Sequence, residues 1–502
     1  MATAREGART PRPEKGREPR RPGPGPAAGA VLLSDAGLAA YRAGHPRTSL
    51  AIGAALVCAG PVPEDALLRT VLERAVAAFP ALGGAEGSGG RLRYAPVNAA
   101  DAAAGHWHRT LDAEAARPLP AAGWDCAVLT GLPGGTGLAG DEFLVGDTGL
   151  PGGTGLAGDE GVVGATGLGL PGGAGLAGGR FAVLWRGDHV LLDGAGAAAV
   201  LAALCSAGDP EDSGDPEDPE GPEDIGPAPS AALRAAPRRV GAGTRAGAAG
   251  RAVLDLARAS RAVAGPLLAR AGSADRLADV RSDAPPRLRH HFAHTRLDVL
   301  RGVGRRHGAT VNDVYLAALA GAVRTWAGEG AADGLRAVRV LCPVDIRRPR
   351  GGELRNRHLP VRVTLPVDLA TPGERLAAVA ARTGGLARAL RHPVVHGVFR
   401  GLPRALGAWC VERYFHPDRS TLLASNVHGP AHPLRLAGAP VREVLPLNFL
   451  PAGHPLSVVL MSLNGRVSVG FTTDASLRGA ADLPNLWLRE LTALTTDRAP
   501  GP

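Results

Sequence analysis

The sequence predicts a mixed α/β protein with two domains, and three observations lead to this class. Short apolar runs typical of strands alternate along the chain with runs of helical period. An acidic, proline-rich stretch at 208–229 interrupts them and has the composition of a solvated linker. Without that stretch, the first 30 residues and a glycine-rich repeat, about 400 of the 502 residues remain for folding, which suits two domains.

Composition divides the chain into four parts. Residues 1–30 combine arginine and proline without large apolar side chains after the first residue, so we predict a disordered basic tail; a tether to anionic lipid is the alternative. Residues 31–207 form the first predicted domain, with the repeat 131–179 as an insert. A linker at 208–250 and a second domain at 251–502 follow.

The insert is an internal repeat. GLPGGTGLAGDE occurs at 131–142 and again at 149–160, and GLPGGAGLAGG follows at 169–179. Glycine recurs at nearly every third position, which is the collagen period, but proline is too scarce for a triple helix. We therefore predict an expanded surface loop, because long insertions add little loop-closure entropy.

Individual elements follow from local patterns. In the first domain, Leu50–Val57 and Phe181–Trp185 are apolar runs typical of strands, whereas helices are expected after Pro63 and from Gly194 onward. In the second domain the predicted helices are 251–280, about 310–327 and about 372–390, and the predicted strands are near 336–344 and 359–366. Asn464-Gly465 predicts a hairpin between strands at 456–463 and 466–473.

The charge balance argues against a nucleic-acid partner. The net charge is +9 and almost all the basic charge is arginine, spread along the chain rather than clustered. No recognition module with interleaved aromatic residues is present.

Cysteine usage and hydropathy indicate a cytoplasmic protein. The five cysteines are far apart and lack CxxC spacing, which is typical of small buried side chains in a reducing compartment. No apolar run reaches the roughly 18 residues of a membrane span, and the N-terminus lacks a signal-peptide core. Peripheral contact with the inner membrane face is the alternative location.

The segment around His189 is the first candidate for chemistry. His189 follows a predicted strand, and Asp193-Gly194 comes four residues later, at a turn before a helix. An imidazole at such a turn can act as a general base, with Asp193 fixing the local geometry. The alternative is an Asp-Gly turn with an incidental histidine, because HxxxDG is a short pattern.

The second half of the chain favours the functional interpretation. His189 to Gly194 resembles the HHxxxDG motif of the coenzyme-A-dependent acyltransferase superfamily. Five further stretches occur in family order: ATVNDVYLAALAGAVRTWAGEG at 309–330, VLCPVDIRR at 340–348, NRHLPVRVTLPVDLATPGERLAAV at 356–379, SNVHGPAHPLRLAGAPV at 425–441 and LSVVLMSLNGRVSVGFTTD at 456–474. With them, the chain most resembles the bacterial wax ester synthase/diacylglycerol acyltransferase family.

The resemblance implies a fold and a reaction. The fold would be two chloramphenicol-acetyltransferase-like domains, each a mostly antiparallel mixed sheet with helices, meeting at a central tunnel. The reaction would transfer an acyl group from acyl-CoA to a long-chain alcohol or diacylglycerol, without a metal or a resident cofactor. His189 maps onto the catalytic base, and Asp188, Asp193 and Gly194 map onto the rest of the motif. The implied partners are acyl-CoA and a hydroxyl-bearing lipid, with contact at a membrane or lipid droplet.

Three departures from the family pattern concern the substrate more than the reaction class. Asp188 replaces the first motif histidine, and a carboxylate there is expected to raise the pKa of His189 or to contact the acceptor. Ala122-Gly123-Trp124 is the best counterpart of the family's Pro-Leu-Trp stretch, and His428 replaces a proline in SNVHGP.

Two further pairs are candidates for lining the tunnel. Asn312-Asp313 matches the family's ND pair near a helix start, although an Asn there can instead cap the helix. Ser425-Asn426 either lines the tunnel or belongs to an ordinary turn.

A histidine cluster and two other functions complete the hypotheses. His290, His291 and His294 lack a Cys or acidic partner at ligand spacing, so we expect surface residues rather than a metal site. A related condensation-type enzyme using a carrier-protein thioester is the alternative activity. An inactive scaffold that binds partners through its low-complexity segments is the alternative of another class.

Overall fold

Two mixed β-sheets flanked by helices make up the molecule. A computed structural model describes residues 33–83, 92–121, 123–133, 179–207, 257, 274–278, 280, 285–328, 335, 338–345, 356–390 and 404–497. The predicted tail 1–30, the linker 208–250, nearly all of the repeat 131–179 and most of the helix predicted at 251–280 lie outside these residues.

The strands and helices are numbered in chain order. The strands are β1 (Ala51–Ala59), β2 (Leu92–Pro96), β3 (Trp124–Leu132), β4 (Arg180–Asp188), β5 (Cys205–Ala207), β6 (Leu288–Arg296), β7 (Arg339–Asp345), β8 (His358–Thr364), β9 (Leu422–His428), β10 (Leu434–Leu436), β11 (Ala439–Leu447), β12 (Leu456–Leu463) and β13 (Arg466–Asp474). The helices are α1 (Leu33–Gly44), α2 (Asp65–Ala77), α3 (Ala99–Ala103), α4 (His108–Ala115), α5 (Gly194–Ala203), α6 (Leu297–His307), α7 (Val311–Trp326), α8 (Pro372–Thr383), α9 (Leu386–Leu390), α10 (Arg404–Tyr414) and α11 (Leu483–Thr496).

The first sheet has the order β2-β3-β4-β1-β11-β10-β5. Its neighbours are antiparallel except β2 and β3, which are parallel. Two of its strands, β10 and β11, come from the second half of the chain, and Leu56 of β1 lies opposite Val444 of β11. The two halves therefore share one hydrogen-bonded sheet, although the boundary predicted at 208–250 is a linker in sequence.

The second sheet has the order β6-β13-β12-β9-β7-β8. The pairs β12–β9 and β9–β7 are parallel and the others are antiparallel. The predicted hairpin is confirmed: Asn464 and Gly465 join β12 to β13 with φ values of 47° and 74°, the left-handed region that a tight hairpin turn requires. The mostly antiparallel α/β class expected from the sequence is confirmed for both sheets.

The second sheet buries both of its faces. Alternate residues along a strand point to opposite faces. Val340 and Leu422 lie in the core that includes side chains of α7, α8 and α11. Their neighbours Leu341 and Leu423 lie instead in a core shared with Ile52 of the first half. The face that carries Leu341 and Leu423 is therefore the junction between the two halves, where a site can form.

The predicted start of α7 agrees with the structure, whereas the predicted end of α8 does not. Helix α7 begins with a capping box, within the range predicted at 310–327. The Thr310 hydroxyl oxygen accepts the Asp313 backbone N–H, and the Asp313 carboxylate accepts the Thr310 backbone N–H. The single helix predicted at 372–390 is wrong, because α8 ends at Thr383 and α9 begins at Leu386. Gly385 between them has a φ of 76°, which cannot continue a right-handed helix.

The repeat is inserted between two neighbouring strands. Leu132 at the end of β3 pairs with Arg180 at the start of β4, and these strands are antiparallel. The backbone N–H of Gly60 also donates to the Gly179 carbonyl at 2.8 Å. The chain thus leaves and re-enters the sheet at adjacent positions, where a short turn would suffice.

The histidines of β6 depart from expectation. His290 is buried, and its Nδ1 and backbone N–H both lie within hydrogen-bonding distance of Asp112 Oδ1, at 2.8 and 2.9 Å. His294 Nδ1 lies 3.1 Å from the hydroxyl oxygen of Ser468. The prediction of surface residues is therefore wrong for His290, because an acidic side chain from α4, distant in sequence, covers it.

Candidate active site

His189 lies in a tight turn directly after β4. Its backbone N–H donates to the Leu50 carbonyl at 2.9 Å, which ties the turn to the start of β1. The N–H of Leu191 donates to the Asp188 carbonyl at 2.9 Å, and the N–H of Val190 donates to Asp188 Oδ1 at the same distance. The side chain of Asp188 thus shapes the turn that presents His189.

Residues from the second half surround the His189 ring. The ring of His358, at the start of β8, lies 5.5 Å away between centroids, and Phe449 meets the ring edge-on at 5.5 Å. Asn356 Nδ2 donates to the His189 carbonyl at 2.7 Å and to Asp35 Oδ1 at 3.0 Å. His189 is therefore held at the junction of the two halves.

Burial keeps the imidazole of His189 neutral. Burial, and then the neighbouring His358, lower the pKa of His189 to about 4, although Asp193 acts in the opposite direction. Its Nδ1 is buried and has no hydrogen-bond partner among the described residues. A neutral imidazole has one nitrogen that can accept a proton. At neutral pH the group is therefore in the form that a general base requires.

Asp193 joins the two halves beside His189. Its Oδ1 accepts from the Gly196 N–H at 3.0 Å and caps α5, while its Oδ2 accepts from the Arg357 N–H at 3.0 Å. His358 Nδ1 lies 3.6 Å from the same Oδ2. The carboxylate thus fixes α5 of the first half against the approach to β8 of the second.

Gly194 allows these halves to approach closely. A Cβ on this residue would lie 2.8 Å from Val427 Cγ2 on β9, which is closer than side-chain carbons pack. The Asp-Gly sequence therefore combines a helix cap with a contact that only glycine permits.

The net shift of the His189 pKa is downward, although the carboxylate of Asp188 is its neighbour in sequence. Its carboxylate pairs with Arg42 of α1 and accepts the Val190 N–H. The expected upward shift is wrong, because burial of His189 outweighs the carboxylates around it. A contact between Asp188 and an acceptor stays a prediction.

Gly123 and Trp124, two residues of the counterpart of the Pro-Leu-Trp stretch, lie next to this turn, whereas Ala122 lies outside the described residues. The Gly123 carbonyl accepts the Asp188 N–H at 2.7 Å, and the Trp124 indole donates to the Leu82 carbonyl at 3.0 Å. Trp124 is fully buried, so its observed role is to pack the first sheet beneath the site.

Asn312 and Asp313 lie apart from His189. Asp313 is buried, and its carboxylate accepts from the Thr310 N–H at 2.8 Å and from the Thr383 hydroxyl. Helix α7 packs on the face of the second sheet that points away from the first half. These contacts assign Asp313 to a helix cap, with Thr310 rather than Asn312 as the N-cap residue.

Ser425 and Asn426 point to different faces of β9. Ser425 shares its face with Leu423 and Val427, which pack into the junction, and Val427 lies beside Gly194. Asn426 shares its face with Ala424, on the side of α7. Its Nδ2 is buried without a hydrogen-bond partner among the described residues. The structure thus brings Ser425, but not the Asn426 side chain, toward the candidate site.

His358, Asn356 and Phe449 were not identified from the sequence. The first two belong to the stretch at 356–379 that carries the family resemblance, but no local pattern indicates a contact with His189. Phe449 follows β11, and no motif around it in the sequence indicates a functional site. The pairing of β11 with β1 brings this segment of the second half to the first half.

The described residues contain neither a metal-binding cluster nor a membrane-spanning helix. Within them, no three His, Cys, Asp or Glu side chains converge as ligands of a metal ion would. Every helix in the described ranges lacks the length or the apolar character needed to cross a membrane.

Family models match both halves of the chain. The wax ester synthase/diacylglycerol acyltransferase catalytic domain matches residues 174–315, which include the His189 turn. The C-terminal domain of the same family matches residues 356–484, which include Asn356, His358 and Phe449. Together the two matches cover more than half of the chain.

Relatives from Mycobacterium tuberculosis are similar over part of their length. One, named diacylglycerol O-acyltransferase Rv3480c, is 28% identical over 183 residues, which are 35% of this chain and 37% of that protein. Another, named diacylglycerol O-acyltransferase Rv1760, is 27% identical over 237 residues, 43% of this chain and 45% of that protein. The aligned part of this chain therefore spans less than half of either relative.

Two solved structures share the fold. The wax ester synthase/diacylglycerol acyltransferase from Marinobacter aquaeolei VT8 has a TM-score of 0.51 at 17% identity, covering 89% of this chain and 95% of that one. The first condensation domain of the calcium-dependent antibiotic synthetase has a TM-score of 0.52 at 18% identity, with coverages of 94% and 97%. With the two family models, these findings show that the chain belongs to the wax ester synthase/diacylglycerol acyltransferase family.

Proposed function

We propose that the protein is an O-acyltransferase that transfers an acyl group from acyl-CoA to the hydroxyl of a long-chain alcohol or diacylglycerol. His189 is the general base. The observation that carries this proposal is a buried, neutral histidine at the junction of the two halves, within a motif of the family to which the chain belongs. The names of the mycobacterial relatives support the diacylglycerol acceptor.

The reaction needs only a proton acceptor at this position. His189 takes the proton from the acceptor hydroxyl as the oxygen attacks the thioester carbonyl carbon. The carbon–sulfur bond then breaks, and the imidazolium returns the proton to the departing thiolate. The products are an ester and free coenzyme A, and the enzyme returns to its starting form without a metal or a resident cofactor.

The neighbours of His189 fit these steps. Asp193 favours the charged imidazole, so it lowers the cost of forming the imidazolium in a buried site. Both of its oxygens accept backbone hydrogen bonds, which hold it in place. Phe449 and the partly buried Val190 and Leu191 make the surroundings apolar, as a lipid acceptor requires.

The test is acyl transfer by the purified protein. Palmitoyl-CoA is supplied with a panel of long-chain alcohols and diacylglycerol, and thiol release is followed. His189→Ala should lower kcat by roughly two to four orders of magnitude, the usual cost of removing a positioned general base. His106→Ala is the matched control, because His106 is an exposed histidine. Full turnover by His189→Ala would refute the assignment.

A second candidate function is a condensation-type activity, which the fold shared with a condensation domain favours. In that alternative the acyl group arrives on a carrier-protein thioester instead of acyl-CoA, with the same base. Transfer from a purified acyl-carrier protein but not from acyl-CoA would select it. Activity with either donor would exclude an inactive scaffold.

We place this activity in the cytoplasm, with peripheral contact at the inner membrane face or a lipid droplet. The support is the chemistry of the proposed acceptor, which partitions into lipid. Flotation of the protein with diacylglycerol-containing vesicles tests the contact, and absence from the lipid fraction would contradict it.

A further inference from the structure

An ion pair connects helix α1 to the His189 turn, residues 188–191. Arg42, in the last turn of α1, donates from Nη1 to Oδ2 of Asp188, although 146 residues separate the two. The side chain of Asp188 is only 8% exposed, whereas that of Arg42 is 52% exposed. A carboxylate at a buried position is costly without a partner. The guanidinium of Arg42 therefore supplies the counter-charge that this position requires.

Both oxygens of the Asp188 carboxylate have partners within the protein. Oδ2 pairs with Arg42, and Oδ1 accepts the Val190 N–H at 2.9 Å. The backbone carbonyl of Asp188 also accepts the Leu191 N–H at 2.9 Å, so this one residue closes the turn in two ways. A charged acceptor binds a backbone N–H more strongly than a neutral one does. Arg42 thus acts on the turn by orienting the carboxylate that holds the Val190 N–H.

Helix α1 is itself fixed at the junction of the two halves. Tyr41 is buried in the core that the halves share, and its hydroxyl oxygen accepts the Ala452 N–H at 2.9 Å. Helix α1 also approaches α10 closely, because a Cβ on Gly37 would lie 2.6 Å from the Gly407 carbonyl oxygen. The ion pair with Asp188 therefore starts from an element that packing holds in place.

A second contact of α1 reaches His189 by another route. Asp35, in the first turn of α1, accepts from Asn356 Nδ2 at 3.0 Å, and the same amide donates to the His189 carbonyl at 2.7 Å. Asp35 and Arg42 are two helical turns apart, so they lie on one side of α1. This side of the helix therefore holds the turn at two points, through Asn356 and through Asp188.

We propose that Arg42 is a positioning residue for the His189 base and acts through Asp188. The guanidinium orients the buried carboxylate, the carboxylate holds the turn, and the turn places the imidazole for the incoming hydroxyl. This inference rests on the proposed role of His189. It also gives the first motif position a role in this chain: a histidine there would offer Arg42 no negative charge, so Arg42 and the aspartate form a matched pair.

The first experiment separates positioning from substrate binding. kcat and KM are measured with palmitoyl-CoA and a long-chain alcohol. Arg42→Gln should lower kcat about five- to thirtyfold and leave KM within about twofold, because a displaced base slows the chemical step alone. Arg42→Lys should recover most of the loss, since an ammonium group can replace a contact made through one nitrogen. Arg109→Gln, which removes an arginine from an ion pair with Asp101, is the matched control and should behave as the wild type does.

Three kinetic results would overturn the proposal. Unchanged kcat in Arg42→Gln would show that the base does not depend on Arg42. A raised KM with unchanged kcat would mean that Arg42 binds a substrate instead. Equal losses of kcat in Arg42→Gln and Arg42→Lys would mean that the positive charge is not what acts on the turn.

A double-mutant cycle tests whether Arg42 acts through Asp188. Asp188→Asn keeps one oxygen for the Val190 N–H but removes the charge that pairs with Arg42. In the Asp188→Asn background, Arg42→Gln should lower kcat by less than about twofold, because the ion pair is already broken. Two losses that multiply would overturn the route through Asp188.

Hydrogen exchange follows the turn without any activity. The backbone N–H groups of His189, Val190 and Leu191 are all hydrogen-bonded. Exchange in a peptide covering 188–192 should be about five- to thirtyfold faster in Arg42→Gln, while the melting temperature falls by no more than about 2–4 °C. Arg109→Gln should leave this exchange unchanged.

Exchange also separates this inference from the proposed function. If no donor supports transfer by the wild type, the proposed function fails, yet faster exchange at the turn in Arg42→Gln would still support the hold of Arg42 on His189. Unchanged exchange in Arg42→Gln would overturn the proposal whatever the activity.

Discussion

Replacing Asp193 with asparagine should lower both stability and turnover, because one carboxylate joins the two halves of the molecule beside the base. The amide oxygen can still accept the Gly196 N–H and cap α5. The amide nitrogen, however, would then face the Arg357 N–H, so two donors meet where the carboxylate accepted at 3.0 Å. Losing a hydrogen bond to a charged acceptor and leaving its donor unpaired costs about 1.5–3 kcal/mol.

The assay follows unfolding and catalysis in the same variants. Urea denaturation monitored by tryptophan fluorescence should show Asp193→Asn less stable by that amount. Asp193→Ala, which also removes the helix cap, should lose about 2–5 kcal/mol. The control is Asp298→Asn, an exposed acid in the first turn of α6 whose ion pair with Arg296 is worth at most about 1 kcal/mol.

The kinetic result completes the test. Asp193→Asn should also lower kcat, because the carboxylate that favours the His189 imidazolium is gone. A variant with wild-type stability and low kcat would mean that Asp193 acts only in the chemistry. Its role in joining the two halves of the molecule would then be refuted. Wild-type stability together with wild-type kcat would refute both roles.

Three other perturbations test separate parts of the structure. Burial lowers the pKa of both His189 and His454 to about 4, so the unfolded chain binds more protons than the folded one between about pH 6.5 and 4. The free energy of unfolding, measured by urea denaturation, should therefore fall as the pH drops through that window. His454→Gln should make this dependence of the unfolding free energy on pH less steep. Replacing 134–177 with a short Gly/Ser link should leave the melting temperature and activity nearly unchanged, because β3 and β4 pair with each other at the point where the repeat begins and ends. A large drop in melting temperature, or wild-type trimers that vanish in the deletion variant, would favour a collagen-like repeat. Gly194→Ala should cost about 1–3 kcal/mol by clashing with Val427, and a double-mutant cycle with Val427→Ala should recover part of that loss; an additive result would contradict the close contact.

Local signals in the sequence predicted local structure well. The Asn464-Gly465 turn and the apolar runs of β1 and β4 depend on residues that are neighbours along the chain. The position of His189 after a strand and of Gly194 at a helix start were likewise predicted, because strand and helix periods change within that short segment.

Contacts between distant segments were not predictable in this way. Asn356 meets His189 across 167 residues, and Asp112 covers His290 across 178 residues. A run of histidines is polar, so its composition predicts a surface position. In the structure Asp112 of α4 covers His290, which is buried. The inclusion of β11 in the first sheet depends on strand pairing, which the hydropathy of 439–447 does not specify.

The pairing of β1 with β11 has a consequence for how the chain folds during synthesis. Until Ala439–Leu447 leaves the ribosome, one edge of β1 has no partner and its backbone groups remain open to other chains. At about 5–20 residues per second, the interval between the emergence of Ala59 and that of Ala439 is roughly 20 to 80 s. The first half therefore passes through a long period in which it can aggregate, so faster elongation, or chaperones that cover this edge, should raise the yield of native protein. For the same reason, a fragment ending at Ala207 should be insoluble when expressed alone and should gain solubility when residues 430–450 are supplied as a fused segment.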